Sequence, residues 1–364
     1  MWYRPLKEDS IATPSILLFP DRIEENISRM ISIAGAASRL RPHVKTHKIA
    51  EVVKLQLKHG IRSFKCATLS EAALVAEAGG KDIMLAYPLL GPSMELWFDL
   101  KEKYPESRFS VCVDSRIALD QLVSAARRRS RLADIFVDID NGMHRTGLDP
   151  EQAYALIHTI LEHKDLRFRG LHVYDGHIHE TDPGERKIRC DHDFKVVNAL
   201  VDYLEKDGIP VEELACGGTP TFPIHASYPS RSLCPGTTLL WDAGYSSKLP
   251  DLDFLHAAVL AGRVISKPGK QLCLDLGYKS LASEMPHPRL HFLGLDVERV
   301  SNHSEEHLVI ECKQSVQYAP GELVYALPTH ICPTMALHEE VYVVQDQQII
   351  TTWKVRARKR IYSL

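Results

Sequence analysis

The chain has 364 residues, 45% of them hydrophobic and 25% charged, with a formal net charge of −3. That length allows two domains, and the balanced charge leaves no electrostatic footprint for nucleic acid or an anionic membrane. No apolar run is long enough to span a bilayer, the first eight residues lack the apolar core of a signal peptide, and the eight cysteines follow no framework spacing, so a cytoplasmic protein with reduced thiols is expected.

In chain order, Ser15-Ile16-Leu17-Leu18-Phe19 reads as a strand and Arg22 to Ala34 as a helix. Leu40 to Lys45 reads as a short strand, because Leu40 and Val44 are apolar and Pro42 holds Arg41 extended. Ile49, Val52, Val53 and Leu57 then recur at helical spacing, with Gly60 as a stop. Strand-like runs follow at residues 64–66, 83–86, 109–113, 135–139, 170–174 and 213–216. Helical patterns lie between them, such as Ser70 to Ala78 behind a capping box of Thr68 and Glu71. Alternation at a spacing of roughly 25 residues argues a parallel sheet with helical crossovers, and about eight such units favour a closed α/β barrel of the TIM (β/α)8 kind over an open sheet.

After about Pro250 the runs become short and β-rich: residues 257–265, 271–276, 308–311, 323–327, 341–344 and 349–355. Turn-forming pieces such as Lys267-Pro268-Gly269-Lys270 and Ala319-Pro320-Gly321-Glu322 separate them. The expected division is a barrel at 13–247 and a smaller, mostly antiparallel β domain at 248–364, which residues 1–12 join.

Chemistry concentrates at the predicted strand ends. In Arg41-Pro42-His43-Val44-Lys45-Thr46-His47-Lys48, two basic residues and two histidines surround Lys45. A lysine at the C-terminal end of a barrel strand, partly desolvated and near other cations, has a lowered pKa and suits Schiff-base chemistry; a merely basic surface loop is the alternative. Asp138-Ile139-Asp140-Asn141-Gly142-Met143-His144-Arg145-Thr146-Gly147 suits a loop that aims the planar fork of Arg145 at an anionic oxygen, or else a tight turn with a solvated arginine. His172-Val173-Tyr174-Asp175-Gly176-His177-Ile178-His179 suits an aromatic or proton-relaying wall, a metal site, or a mixture of core and loop histidines. Gly217-Gly218-Thr219 and Gly236-Thr237 suit two walls of a phosphate nest at the last two units, and ordinary Gly-Thr turns equally. In His330-Ile331-Cys332, an extended backbone would put His330 and Cys332 on one side, where imidazole and thiolate can share a metal ion.

Together these motifs resemble the D-threonine aldolase and D-serine dehydratase family, within the fold-type III pyridoxal-phosphate enzymes related to alanine racemase, and the resemblance covers nearly the whole chain. It implies that Lys45 carries pyridoxal 5'-phosphate, that Arg145 contacts its phenolic oxygen, and that Tyr174 and His177 stand beside it. It assigns Gly217, Gly218, Thr219, Gly236 and Thr237 to the phosphate, and His330 with Cys332 to zinc (or manganese). It further implies a homodimer acting on a small D-amino acid with a β-hydroxyl. Dehydratases of the family tend to pair histidine with cysteine and aldolases to pair it with aspartate, so dehydration of D-serine or D-threo-3-hydroxyaspartate is the favoured reading over D-threonine-type aldol cleavage. A racemase and a non-catalytic cofactor-binding protein are the further alternatives. One position departs from alanine racemase: where that enzyme has an arginine facing the pyridine nitrogen stands Cys234, which supplies no such charge.

Overall fold

The computed structural model describes residues 1–313 and 315–362, so 314, 363 and 364 of the expected β domain lie outside the described residues. It divides into two compact units, one of Met1–Ser28, Thr46–Val52 and Thr237–Arg358, the other chiefly of Arg29–Lys45 and Val53–Gly236. Among the described residues no helix is long and apolar enough to cross a membrane.

The strand β1 (Ser15–Leu18) has all four residues buried, and it does not join the parallel sheet. The parallel sheet is built of β2 (Ser63–Cys66), β3 (Asp82–Leu85), β4 (Arg108–Val113), β5 (Ala133–Ile139), β6 (Leu166–Val173), β7 (Glu213–Cys216) and β8 (Arg231–Leu233), paired in that order. Residues 40–44 take the eighth place. Arg41 N–H donates to Leu233 O at 2.8 Å and His43 N–H to Pro235 O at 2.8 Å on one side; Val44 N–H donates to Lys65 O at 2.9 Å and Lys65 N–H to Pro42 O at 3.0 Å on the other. The ring therefore closes through the segment that ends at Lys45. Pro42 has no N–H to give toward β2, so the seam consists of isolated bridges at Leu40 and His43 rather than the regular strand expected. Inside the ring, Met84, Cys112, Phe136, Ala215 and Cys234 form a buried cluster. Helices such as Leu69–Glu77 cover the outside; Thr68 caps this one by accepting from Glu71 N–H at 3.1 Å.

The N-terminal end of the ring is closed by charge. Arg41, fully buried, makes two bonds of 2.7 and 2.6 Å to Glu213 at the start of β7 and one of 3.0 Å to Asp82 at the start of β3. Arg169 adds two more bonds to Asp82, at 3.1 and 2.9 Å.

Among the described residues the other unit holds a mostly antiparallel sheet of nine strands. Its path runs through β1, with β9 (Ala258–Ser266) antiparallel on one side and the strand Glu340–Gln345 parallel on the other. Ser15–Phe19, read from sequence as the first alternating βα unit, thus builds this sheet; with Ile16, Leu17 and Leu18 wholly buried it suits a central strand here as well as it would a barrel strand. Two strands of this sheet escaped the sequence reading, Leu290–Phe292 and Val297–His303, as did β8 of the ring. The second is an edge strand whose residues are mostly exposed and polar, with two register shifts, so it shows no hydrophobic alternation. All eight cysteines are thiols, and Cys66, Cys112 and Cys273 are buried.

Candidate active site

Tyr174 follows β6 at the C-terminal end of the ring, and three cations surround its aromatic ring. Lys45 Nζ lies 5.8 Å, Lys65 Nζ 5.2 Å and Arg145 Cζ 4.7 Å from the ring centroid. None of the three heads makes a hydrogen bond or ion pair to another described residue. The cations expected around Lys45 from its own stretch are elsewhere. Arg41 is committed to Glu213 and Asp82, because it lies four residues before Lys45 on an extended segment and so at the opposite end of the ring. His47 is wholly buried; desolvation pushes its imidazole down to about 3, so it is neutral, and its Nδ1 accepts from Ile49 N–H. Lys65, a charged residue in the middle of the apolar run Phe64-Lys65-Cys66, is the group that sequence reasoning missed, and that interruption was the available signal.

The loop after β5 shapes itself around Asp140, which accepts from the N–H groups of Gly142 at 2.9 Å and His144 at 3.0 Å. Gly142 has φ +124°, and a Cβ there would stand 2.9 Å from His177 Nε2, so glycine is needed for the histidine to pack against the Arg145 loop. His177 Nε2 also bonds Asp193 at 2.9 Å. Beneath the loop, His172 Nδ1 meets Asp138 at 2.6 Å and Thr146 donates to the same carboxylate at 2.8 Å. Burial and then Lys65 hold the His172 imidazole below its ordinary value, so it is neutral and Nδ1 is the donor. His172 Nε2, His177 Nδ1 and both amide atoms of Asn141 are buried without a partner. Orphaned buried polar atoms are costly and mark a place completed by a ligand.

The glycine loops come together here. Gly236 N–H donates to Thr219 Oγ1 at 3.2 Å, tying the loop after β8 to the loop after β7. A Cβ on Gly218 would lie 3.0 Å from Tyr174 Cε2, so bare backbone lies against the tyrosine ring. Behind them, Asp175 accepts from Thr221 at 2.7 Å and pairs with His225 Nε2 at 2.8 Å, while Arg231 donates to His225 Nδ1 at 2.9 Å. Asp175, Cys190 and His225 offer ligand atoms within 4.8 Å of one another. They do not suit a metal: a guanidinium only donates, so Nδ1 accepts and Nε2 carries the proton it gives to Asp175. Burial also pushes the Cys190 thiol up, against the thiolate a metal needs. The trio is a brace behind Tyr174 and the Gly217-Gly218 turn.

In the other unit, His330 and Cys332 do come together, but on a different backbone from the extended one expected. Ile331–Leu337 is a helix with His330 at its N-cap. Asp242 anchors this start by accepting from Ile331 N–H at 3.1 Å, and Thr334 Oγ1 donates to His330 O at 2.8 Å. His330 Nδ1 bonds Glu284 at 2.6 Å. Cys332 Sγ lies 3.2 Å from Thr46 Oγ1 and 3.6 Å from Thr237 Oγ1, so Thr237 stands beside the thiol. Burial lowers the His330 pKa, but its hydrogen bond to Cys332 and the neighbouring negative charge outweigh that and carry it up to about 9. Imidazole and thiol are donors that a divalent cation can take, and the Glu284 carboxylate on the imidazole is the outer partner a metal-binding histidine commonly has.

Residues 20–242 match the family described as alanine racemase, N-terminal domain, and residues 257–344 match one described as putative serine dehydratase domain. The chain is 29% identical to a D-threonine aldolase of an Arthrobacter species, over 96% of this chain and 93% of that one. It is also 29% identical to a 3-hydroxy-D-aspartate aldolase of Paracoccus denitrificans, over 98% and 95% of the two chains. The crystal structure of D-threonine aldolase from Filomicrobium marinum superposes with a TM-score of 0.87 at 28% identity, covering 98% of this chain and 97% of the other.

Proposed function

The chain belongs to the alanine racemase N-terminal-domain family, and from that premise we propose that it is a pyridoxal-phosphate- and metal-dependent lyase acting on D-3-hydroxy amino acids. The observation that carries this reading is the set of three unpartnered cations around Tyr174, beside orphaned polar atoms and two joined glycine loops. Such a pocket suits a flat ligand bearing a phosphate and a phenolate, which pyridoxal phosphate is. When bound, that cofactor supplies an electron sink for the pair left at Cα.

In this reading Lys45 would hold the cofactor covalently, and its free amine would be the base placed to take the proton at Cα. Arg145 would set its fork on the phenolic oxygen, Tyr174 would pack against the ring, and His177, steadied by Asp193, would relay protons at the Arg145 loop. Gly217, Gly218, Thr219, Gly236 and Thr237 line the phosphate. His330 and Cys332 hold a divalent metal, zinc or manganese, whose chemistry is Lewis-acid polarisation of the β-hydroxyl. The homodimer is part of the proposal, and sedimentation of the purified protein tests it.

Dehydration is the favoured reaction, on the histidine–cysteine pairing and the match of residues 257–344 to a serine dehydratase domain. Aldol cleavage is the second reading, favoured by the two aldolases at 29% identity. Borohydride reduction should fix the cofactor on Lys45, and peptide mapping to another lysine refutes that role. Incubation with D-serine, D-threonine and D-threo-3-hydroxyaspartate then decides the reaction: a 2-keto acid with ammonia supports the dehydratase, and glycine with an aldehyde installs the aldolase.

A further inference from the structure

We infer that Lys65 supplies the buried positive charge toward the inward edge of the cofactor ring, where Cys234 supplies none. This rests on the pyridoxal-phosphate reading above. Lys65 is clamped on both backbone sides, its N–H to Pro42 O at 3.0 Å and its carbonyl to Val44 N–H at 2.9 Å, so it sits beside the segment that delivers Lys45. Its register partner in β3 is Met84, a member of the buried cluster inside the ring, and paired residues of neighbouring strands face the same way. The Lys65 side chain therefore enters the interior, on the side of Cys112 and Cys234.

Lys65 is 3% exposed, yet its ammonium makes no hydrogen bond or ion pair among the described residues, and the Tyr174 ring lies 5.2 Å away. The nearby carboxylate of Asp138 is already taken by His172 and Thr146. Arg41, the other cation acting on the Cys234 thiol, is spent on Glu213 and Asp82. A buried, unpaired ammonium is destabilising by itself, and a chain that keeps one has a counter-charge arriving from outside. An anionic, hydrogen-bond-accepting ring beside Tyr174 provides it.

The test compares wild type with Lys65→Met and Lys65→Arg, each with and without pyridoxal phosphate. Lys65→Met should melt, without cofactor, at or above the wild-type temperature, because an unpaired charge has gone. It should bind pyridoxal phosphate at least about tenfold more weakly, and the cofactor should raise its melting temperature less. The pH midpoint of the bound cofactor's absorption should move up, since losing a positive charge disfavours the deprotonated form. Lys65→Arg should keep that midpoint near wild type. The inference is overturned if Lys65→Met binds the cofactor with unchanged affinity and midpoint, or if its only defect is a lower melting temperature of the cofactor-free protein. Wild type that takes no pyridoxal phosphate sinks the proposed function itself; wild type labelled at Lys45 beside an unaffected Lys65→Met sinks only the role of Lys65.

Discussion

Replacing Arg41 by Met asks whether the charge cluster at the N-terminal end of the ring holds the barrel together. Arg41 gives two short bonds to Glu213 and one of 3.0 Å to Asp82. Without it Asp82 keeps both bonds from Arg169, but Glu213 keeps only a longer contact with Arg169, 3.5 Å. Removing one partner of a buried ion pair costs about 3–5 kcal/mol; because Arg169 remains, the lower end, about 3 kcal/mol, is expected. Urea unfolding followed by circular dichroism should move its midpoint down by on the order of 1 M. Changing Glu213 to Gln in the same chain should restore part of the loss, because the stranded carboxylate is then gone. Lys45 lies four residues further along the strand, about 13 Å away at extended spacing, so borohydride labelling of Lys45 should survive. A variant as stable as wild type, or a double variant no better than the single one, would refute the account.

Burial pushes the Asp242 carboxyl up to about 6, against the pull of the N–H donors of Tyr245 and Ile331. Its native pKa exceeds the unfolded one, so its contribution to stability is present at low pH and is lost as pH rises from about 4 through 6; Asp242→Asn should give a flatter stability profile over that window, and an equally steep one sinks the argument. Gly218→Ala brings a methyl to 3.0 Å from Tyr174 Cε2, so pyridoxal phosphate binding should weaken severalfold while unfolding free energy shifts by no more than about 0.5 kcal/mol; the reverse ranking would count against the site. Chelation should abolish lyase turnover and leave the cofactor's absorption in place, with zinc or manganese restoring it; full turnover in metal-free protein ends the role of His330 and Cys332.

The parallel strands were legible because buried strands between helices are short apolar runs, and Phe64–Cys66 or Ile135–Ile139 show them plainly. Which sheet a run joins is not a local property. Ser15–Leu18 and the barrel strands look alike in sequence, and only the register with β9 and with Glu340–Gln345 separates them. Residues 330–334 misled for a related reason: Pro333 suggests extended chain, yet it falls in the first turn of a helix whose start is held by Asp242, nearly ninety residues earlier. Lys45, Arg145 and Tyr174 could be nominated from strand-end position, but Lys65 could not, since its meaning depends on the interior it enters. Arg41 shows the opposite error: sequence neighbourhood put it beside Lys45, whereas strand geometry sends it to the far end of the ring.

The seam at residues 40–44 sets an order of events on the ribosome. The segment that ends at Lys45 is held on one side by Lys65, about twenty residues downstream, and on the other by Leu233 and Pro235, nearly two hundred residues later. A nascent chain that has released β2 through β7 still has an open curl, with residues 40–44 paired along one edge only. Lys45 gains its second flank when the peptide around residue 235 emerges, so early chain termination anywhere before that point leaves the segment that ends at Lys45 paired along one edge, however much of the parallel sheet has formed.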